Sequence, residues 1–248
     1  MPRKLQLDNG LPEFEPISRH AILVNNYDLT EFFTPPYTHL DYSRGNRRVY
    51  EMEAMLKGKF SDGPNMWRAM MRTGLPEMYQ HELEIHHARR KDIPYDSVTR
   101  ILPKTQMRRK LDRKLLRIAG VANDDTLTFV YITSHGNIGT FAIDDRASMR
   151  YEDLLDRLDR IKGKKVIVCM ACYSGSLIDS IEARHGRDNY IALTSTQNDE
   201  EGVNWGEDNI HDIVIKNLSC RRRVSDIALP PDSEGTHPQI YGNYDVKL

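Results

Sequence analysis

Short apolar runs that alternate with helical segments constrain the fold of this chain more than any other feature. The runs are rich in β-branched residues and lie at 20–27, 97–103, 125–136, 164–171 and 189–196. Apolar residues at helical spacing occupy the intervals, as at 46–60, 105–120 and 148–163. Strands that alternate with helices predict right-handed β-α-β crossovers and a mostly parallel sheet, and therefore an α/β fold. Ligands and chemistry on such sheets lie beyond the carboxyl ends of the strands.

The length of 248 residues fits one α/β domain or two small ones. Residues 1–18 are polar and contain proline, which predicts an extended lead-in. Residues 19–248 are expected to form a single domain, with an insertion at about 61–96 that is expected to hold two short helices, around 66–71 and 78–89. The basic helix at 105–120 is expected to begin at a capping threonine, Thr105, and to end at Gly120.

Two strong strands end in residues that can carry chemistry. The run at 125–136 ends in His135-Gly136, and the run at 164–171 leads into Cys172 and a Ser-Gly turn. One crossover helix separates the two strands, so they are expected to lie side by side or nearly so. His135 and Cys172 are therefore predicted to share one rim of the sheet.

Histidine and cysteine at one rim suit nucleophilic catalysis. A thiol attacks a carbonyl well as a thiolate, and a nearby histidine can accept its proton and later protonate a leaving amine. The oxyanion that forms needs fixed N–H donors, for which the amides of Gly136 and Cys172 are the candidates. Ser174 and Gly175 are expected to let the chain turn sharply and a substrate approach.

Composition leaves other function classes with little support. The formal net charge of -1 gives no pull toward nucleic acid or a membrane, and no apolar stretch has the length of a membrane span. Three cysteines without framework spacing and no secretory signal favour reduced thiols and a cytoplasmic location. Cys169 lies inside an apolar strand, so it is interpreted as a core residue, and neither a metal nor a cofactor is expected.

A binding module without enzymatic activity remains an alternative. The helix at 105–120 is basic, as is the segment 220–223, and both could contact a nucleotide or nucleic acid. The helix also carries an apolar stripe, Leu111, Leu115 and Ile118, which predicts that one face packs on a core. No glycine-rich phosphate loop follows any strand.

The two strand-end motifs together resemble the caspase–hemoglobinase superfamily of cysteine peptidases. An apolar strand ending in His-Gly precedes an apolar strand ending in Ala-Cys-x-Ser-Gly, here FVYITSHG and VIVCMACYSGS, and the second motif is most similar to the legumain-like branch. The resemblance implies a three-layer α-β-α sandwich, a dyad of His135 and Cys172, an oxyanion N–H from Gly136, and peptide or protein substrates. A transpeptidase or ligase on the same fold uses the same acylation chemistry and stays open.

The resemblance leaves the pocket for the substrate's P1 residue undecided. Met170 stands where legumains and metacaspases carry an acidic residue, and Arg44 lies where relatives place a pocket arginine. The candidate substrate-binding residues are Arg44, Ser195, Glu200 and Glu201. Arg44 would favour an acidic or amide P1 side chain, which is the expectation, whereas an acidic loop at 199–201 would favour Lys or Arg.

Overall fold

The computed structural model describes residues 11–26, 95–101, 106–144, 147–185, 187–202, 223–227 and 237–246, together with 49, 52, 53, 56 and 214. Arg44 and almost all of the predicted insertion at 61–96 lie outside these described residues.

A six-stranded sheet forms the centre of the fold. Its strands are β2 (Ser18–Asn25), β3 (Ser97–Ile101), β4 (Thr126–Thr133), β8 (Lys164–Met170), β9 (Tyr190–Thr194) and β10 (Gln239–Gly242). They are arranged in the order β10-β9-β8-β4-β2-β3, with every neighbouring pair parallel except β9 and β10. The expected mostly parallel sheet is confirmed, and β4 and β8 are direct neighbours.

Helices cover both faces of the central sheet, which explains why its strands are apolar on both faces. One face packs against α1 (Met107–Ala119), α2 (Tyr151–Leu158) and α3 (Ser176–Glu182). The other face packs against helical residues that include Val49, Met52, Leu56 and Val214. A parallel sheet buried on both sides needs such near-continuous hydrophobic strands. The architecture is the expected three-layer α-β-α sandwich.

The predicted apolar stripe of the basic helix faces the core. Leu111, Leu115 and Ile118 of α1 are buried in the cluster that covers the sheet. The expected threonine cap is wrong, because the N-cap residue is Gln106 and its side chain makes no capping bond. Asp144 at the end of a neighbouring strand accepts the Met107 N–H at 2.7 Å instead. A carboxylate distant in sequence thus satisfies the free amide that Thr105 was expected to cap.

A small antiparallel sheet follows β4 and extends the site region. It contains β5 (Gly136–Asn137), β6 (Thr140–Asp144) and β7 (Ala147–Arg150). The helix predicted over 148–163 therefore begins later, at Tyr151, because residues 147–150 pair with β6. Helical periodicity cannot reveal this start, since strand pairing with β6 competes for the same residues.

Two short strands near the two ends of the described chain pair with each other. β1 (Glu13–Phe14) lies within the predicted lead-in and pairs in parallel with β11 (Asp245–Val246). Asp245 also accepts bonds from the backbone and the hydroxyl of Ser225. Among the described helices, none combines the length and apolar character that a membrane crossing requires.

Candidate active site

The carboxyl ends of β4 and β8 bring the two predicted catalytic segments together. Thr133 pairs with Met170 in the sheet, and the Ser134 N–H donates to the Met170 carbonyl at 3.2 Å. His135 is the next residue on one strand, and Cys172 follows two residues after Met170 on the other. The His135 side chain is exposed and Cys172 is half-buried, so both segments reach the surface at one rim.

Gly136 approaches Cys172 so closely that only glycine fits. A Cβ at residue 136 would lie 2.3 Å from the Cys172 carbonyl oxygen and 2.9 Å from the Ala171 Cβ. The His-Gly turn therefore packs directly on the backbone of the cysteine. This contact links the two motifs directly.

The backbone N–H of Gly136 points away from its partner strand. Ala142 N–H donates to the His135 carbonyl at 2.8 Å, and Gly136 is paired with Phe141. The bond between Ala142 and His135 shows that Gly136 and Phe141 form a non-hydrogen-bonded pair of the antiparallel ladder. In such a pair, the N–H group of each residue points away from the partner strand. Among the described residues, none accepts the Cys172 N–H either. Two amide donors are thus available at this rim.

A strained residue follows Cys172. Tyr173 adopts a left-handed backbone conformation with φ 57°, which is uncommon for a residue with a side chain. Its N–H donates to the Glu200 carbonyl at 2.6 Å, and its own carbonyl accepts the Ser176 hydroxyl at 2.6 Å. Contacts on both sides therefore hold the sharp turn in place, and the turn residue is Tyr173 rather than the glycine.

Ser174 packs on Thr196 and Gly175 packs on the 197–202 loop, so the expectation that they leave room for a substrate is wrong. Ser174 is fully buried, and its N–H donates to the Thr196 hydroxyl at 2.8 Å. A Cβ at Gly175 would lie 2.5 Å from the backbone nitrogen of Asn198. Their small size allows the loop after β9 to approach the cysteine turn.

The candidate substrate-binding residues lie in different environments. Ser195 is 2% exposed and its hydroxyl donates to the Ala171 carbonyl at 3.3 Å, beneath the turn. Glu201 is exposed, and its carboxylate accepts the Tyr173 hydroxyl at 2.9 Å, which raises the pKa of that tyrosine. The Glu200 carboxylate accepts the backbone N–H groups of Gln197 at 3.0 Å and His237 at 2.9 Å.

Cys169 lies in the core, whereas Cys172 is half-buried at the rim. The Cys169 side chain is fully buried and lies 3.4 Å from the Tyr151 hydroxyl. Burial raises its pKa to about 12, although the hydrogen bond to Tyr151 lowers it in part. The Cys169 thiol therefore stays protonated near neutral pH, as expected for a core residue. Among the described residues, no group of three or more His, Cys, Asp or Glu side chains is arranged to hold a metal ion.

Sequence reasoning missed the residues that shape the turn from outside it. The Ser176 hydroxyl accepts the Gly139 N–H at 2.9 Å and so ties the β5–β6 hairpin to the start of α3. Tyr173 and Glu200 were not recognised as a contact pair. The available signal was the residue between Cys172 and Ser174, since a bulky residue inside a tight turn needs outside support.

Comparison with known proteins finds a similarity in sequence and a similarity in fold. Residues 109–215, which hold both motifs, match the Peptidase C13 family. The fold matches caspase-1 from Spodoptera frugiperda with a TM-score of 0.52, covering 100% of this chain and 97% of that chain at 13% identity, which shows a shared fold. No curated protein matches the sequence. The family match over the motifs and the shared fold support a cysteine peptidase of the caspase–hemoglobinase superfamily.

Proposed function

We propose that this peptidase cleaves peptide bonds with a dyad of His135 and Cys172 through a thioester acyl-enzyme. The observation that carries the proposal is the contact of Gly136 with the Cys172 carbonyl, where a Cβ would lie at 2.3 Å. It brings the residue after the histidine against the cysteine itself. The buried Cys169, whose pKa is about 12, is not suited to serve as the nucleophile.

Each group at the rim has a role in the reaction. His135 accepts the proton of the Cys172 thiol, and the thiolate attacks the peptide carbonyl carbon. The N–H groups of Gly136 and Cys172 donate to the oxyanion of the tetrahedral intermediate. The C–N bond then breaks, and His135 returns the proton to the leaving amine. His135 next takes a proton from water, whose oxygen attacks the thioester and releases the carboxylic acid and the Cys172 thiol.

We further propose that the P1 pocket prefers Asp, Glu or Asn. Arg44 supplies the charge, with two N–H donors for a carboxylate or an amide oxygen. The competing acid Glu200 accepts two backbone N–H groups, which supports this preference because its carboxylate is committed within the protein. Glu201 likewise accepts the Tyr173 hydroxyl.

Variants of Cys172, His135 and Cys169 test the dyad. Cys172→Ala and His135→Ala are each expected to abolish cleavage of a peptide substrate while circular dichroism and thermal unfolding stay near wild type. Cys169→Ser is the matched control and keeps activity. Cleavage that survives in folded Cys172→Ala, or disappears in folded Cys169→Ser, contradicts the assignment.

Four matched fluorogenic peptides that end in Asp, Asn, Lys and Arg test the pocket. The proposal predicts higher kcat/KM for Asp and Asn, and loss of that preference in Arg44→Ala. Preferential cleavage after Lys or Arg, lost in Glu201→Gln, would assign the pocket to the acidic loop instead.

A further inference from the structure

The 197–202 loop packs beside the turn that presents Cys172. The Glu200 carbonyl accepts the N–H of Tyr173, the residue directly after Cys172, at 2.6 Å. At Gly202 of the same loop, a Cβ would lie 3.6 Å from the Cys172 nitrogen. The loop is therefore bonded to the residue after Cys172 and lies beside the Cys172 backbone.

Glu200 fixes this loop through its side chain. One carboxylate oxygen accepts the N–H groups of Gln197 and His237, and the other oxygen contacts the Nδ1 of the His237 ring. Gln197 belongs to the loop, whereas His237 lies two residues before the start of the edge strand β10. The Glu200 side chain is 18% exposed. The carboxylate thus joins the loop to the edge of the central sheet.

We propose that Glu200 is a positioning residue for the Cys172 nucleophile: its carboxylate anchors the loop to His237, and its carbonyl holds Tyr173 in the turn that presents the thiol. This inference rests on the proposed function, and it assigns Glu200 a role other than that of an acid in the P1 pocket.

The conformation of Tyr173 explains why an anchor is needed. A left-handed backbone at a residue with a side chain costs on the order of 1 kcal/mol or more, and it persists only where the surroundings hold it. Loss of the anchor lets Tyr173 relax, which moves the thiol and the Cys172 N–H together. A displacement of about 1 Å in reacting groups can lower a rate about 100-fold.

Two substitutions at residue 200 separate positioning from pocket charge. Glu200→Gln keeps the shape and the anchor, because its amide oxygen can accept both backbone N–H groups and its NH₂ can donate to the Nδ1 of a neutral His237 ring. Glu200→Ala removes the anchor altogether. Asp179→Ala is the matched control, since its carboxylate accepts the Asn198 side-chain amide of the same loop at 2.8 Å on the exposed surface.

The measurements are kcat and KM for the peptides ending in Asp, Asn, Lys and Arg, together with thermal unfolding of each variant. If Glu200 is a positioning residue, Glu200→Ala lowers kcat about 100-fold. The factor is the same for all four peptides, and KM is unchanged. Glu200→Gln stays within a few-fold of wild type, and Asp179→Ala matches wild type. If Glu200→Ala does not fold, His237→Ala, which retains the backbone N–H, is expected to lower kcat without changing KM.

Two results would overturn the inference. If Glu200 were an acid of the P1 pocket, Glu200→Gln would change the preference of the enzyme, measured as the kcat/KM of the Lys and Arg peptides relative to that of the Asp and Asn peptides. A wild-type kcat in Glu200→Ala would show that the anchor does not act on the thiol. If Glu200→Ala does not fold, a wild-type kcat in His237→Ala would show the same. Full activity in Cys172→Ala would instead refute the proposed function, so the two failures are distinguishable.

Discussion

Substitution of Gly136 by alanine should damage catalysis far more than stability. The new Cβ would lie 2.3 Å from the Cys172 carbonyl oxygen and 2.9 Å from the Ala171 Cβ. Non-bonded heavy atoms are comfortable at about 3.5 Å, so the hairpin and the Cys172 backbone must separate by about 1 Å. Both contacts are to the segment that presents the thiol, so no flexible side chain can absorb the shift.

The consequence is a misplaced dyad. A shift of about 1 Å between His135 and Cys172, with a similar shift of the Gly136 N–H, predicts a fall in kcat of about 100-fold. KM is expected to change little, because the substrate contacts away from this turn remain. The assay is steady-state cleavage of a fluorogenic peptide, combined with thermal unfolding.

Gly139→Ala is the matched control in the same hairpin. Gly139 has φ 73°, but a Cβ there meets nothing within 4 Å. This variant therefore loses about 1 kcal/mol of stability through backbone strain and retains wild-type kcat. The reasoning is refuted if Gly136→Ala keeps wild-type kcat, or if both variants lose activity in proportion to their lost stability.

Three further predictions concern the surroundings of the site. Cys169→Ser buries a hydroxyl beside Tyr151 and should lower the free energy of unfolding by about 1–3 kcal/mol in urea titrations, without loss of activity. Ser174→Ala leaves the buried N–H of Thr196 without its acceptor at 3.2 Å, and should cost about 1–3 kcal/mol in the same measurement. Burial lowers the pKa of Lys165 from 10.5 to about 8. The unfolded chain therefore binds more protons between these two pH values, so stability conferred through this group rises with pH across that window. Lys165→Met removes this rise, and equal pH slopes in wild type and variant would contradict it.

The sequence predicted the central sheet and the juxtaposition of the two motifs for one physical reason. Parallel strands align their carboxyl ends, so residues that follow β4 and β8 must meet at one rim. The close approach of Gly136 to Cys172 follows from the same arrangement. These features depend on local patterns and on the handedness of crossovers, both of which are visible in a single sequence.

The contacts of Glu200 could not be predicted in the same way. Its partners include Tyr173 and His237, the latter separated from it by 37 residues along the chain. An acidic loop beside a cleft suggests a pocket for basic substrates, and only tertiary structure reveals that the Glu200 carboxylate faces backbone amides. The capping of α1 by Asp144 has the same origin, since pairing within the small sheet brings that carboxylate to the helix.

The most direct test of the dyad is the site of covalent labelling by a peptidyl electrophile. The chain should be incubated with a peptidyl acyloxymethyl ketone, and the modified residue located by intact mass and peptide mapping. The dyad predicts one adduct per chain, on Cys172, which is retained in Cys169→Ser, lost in Cys172→Ala and strongly slowed in His135→Ala. Labelling of Cys169, or labelling of Cys172 at an unchanged rate in folded His135→Ala, would contradict the account.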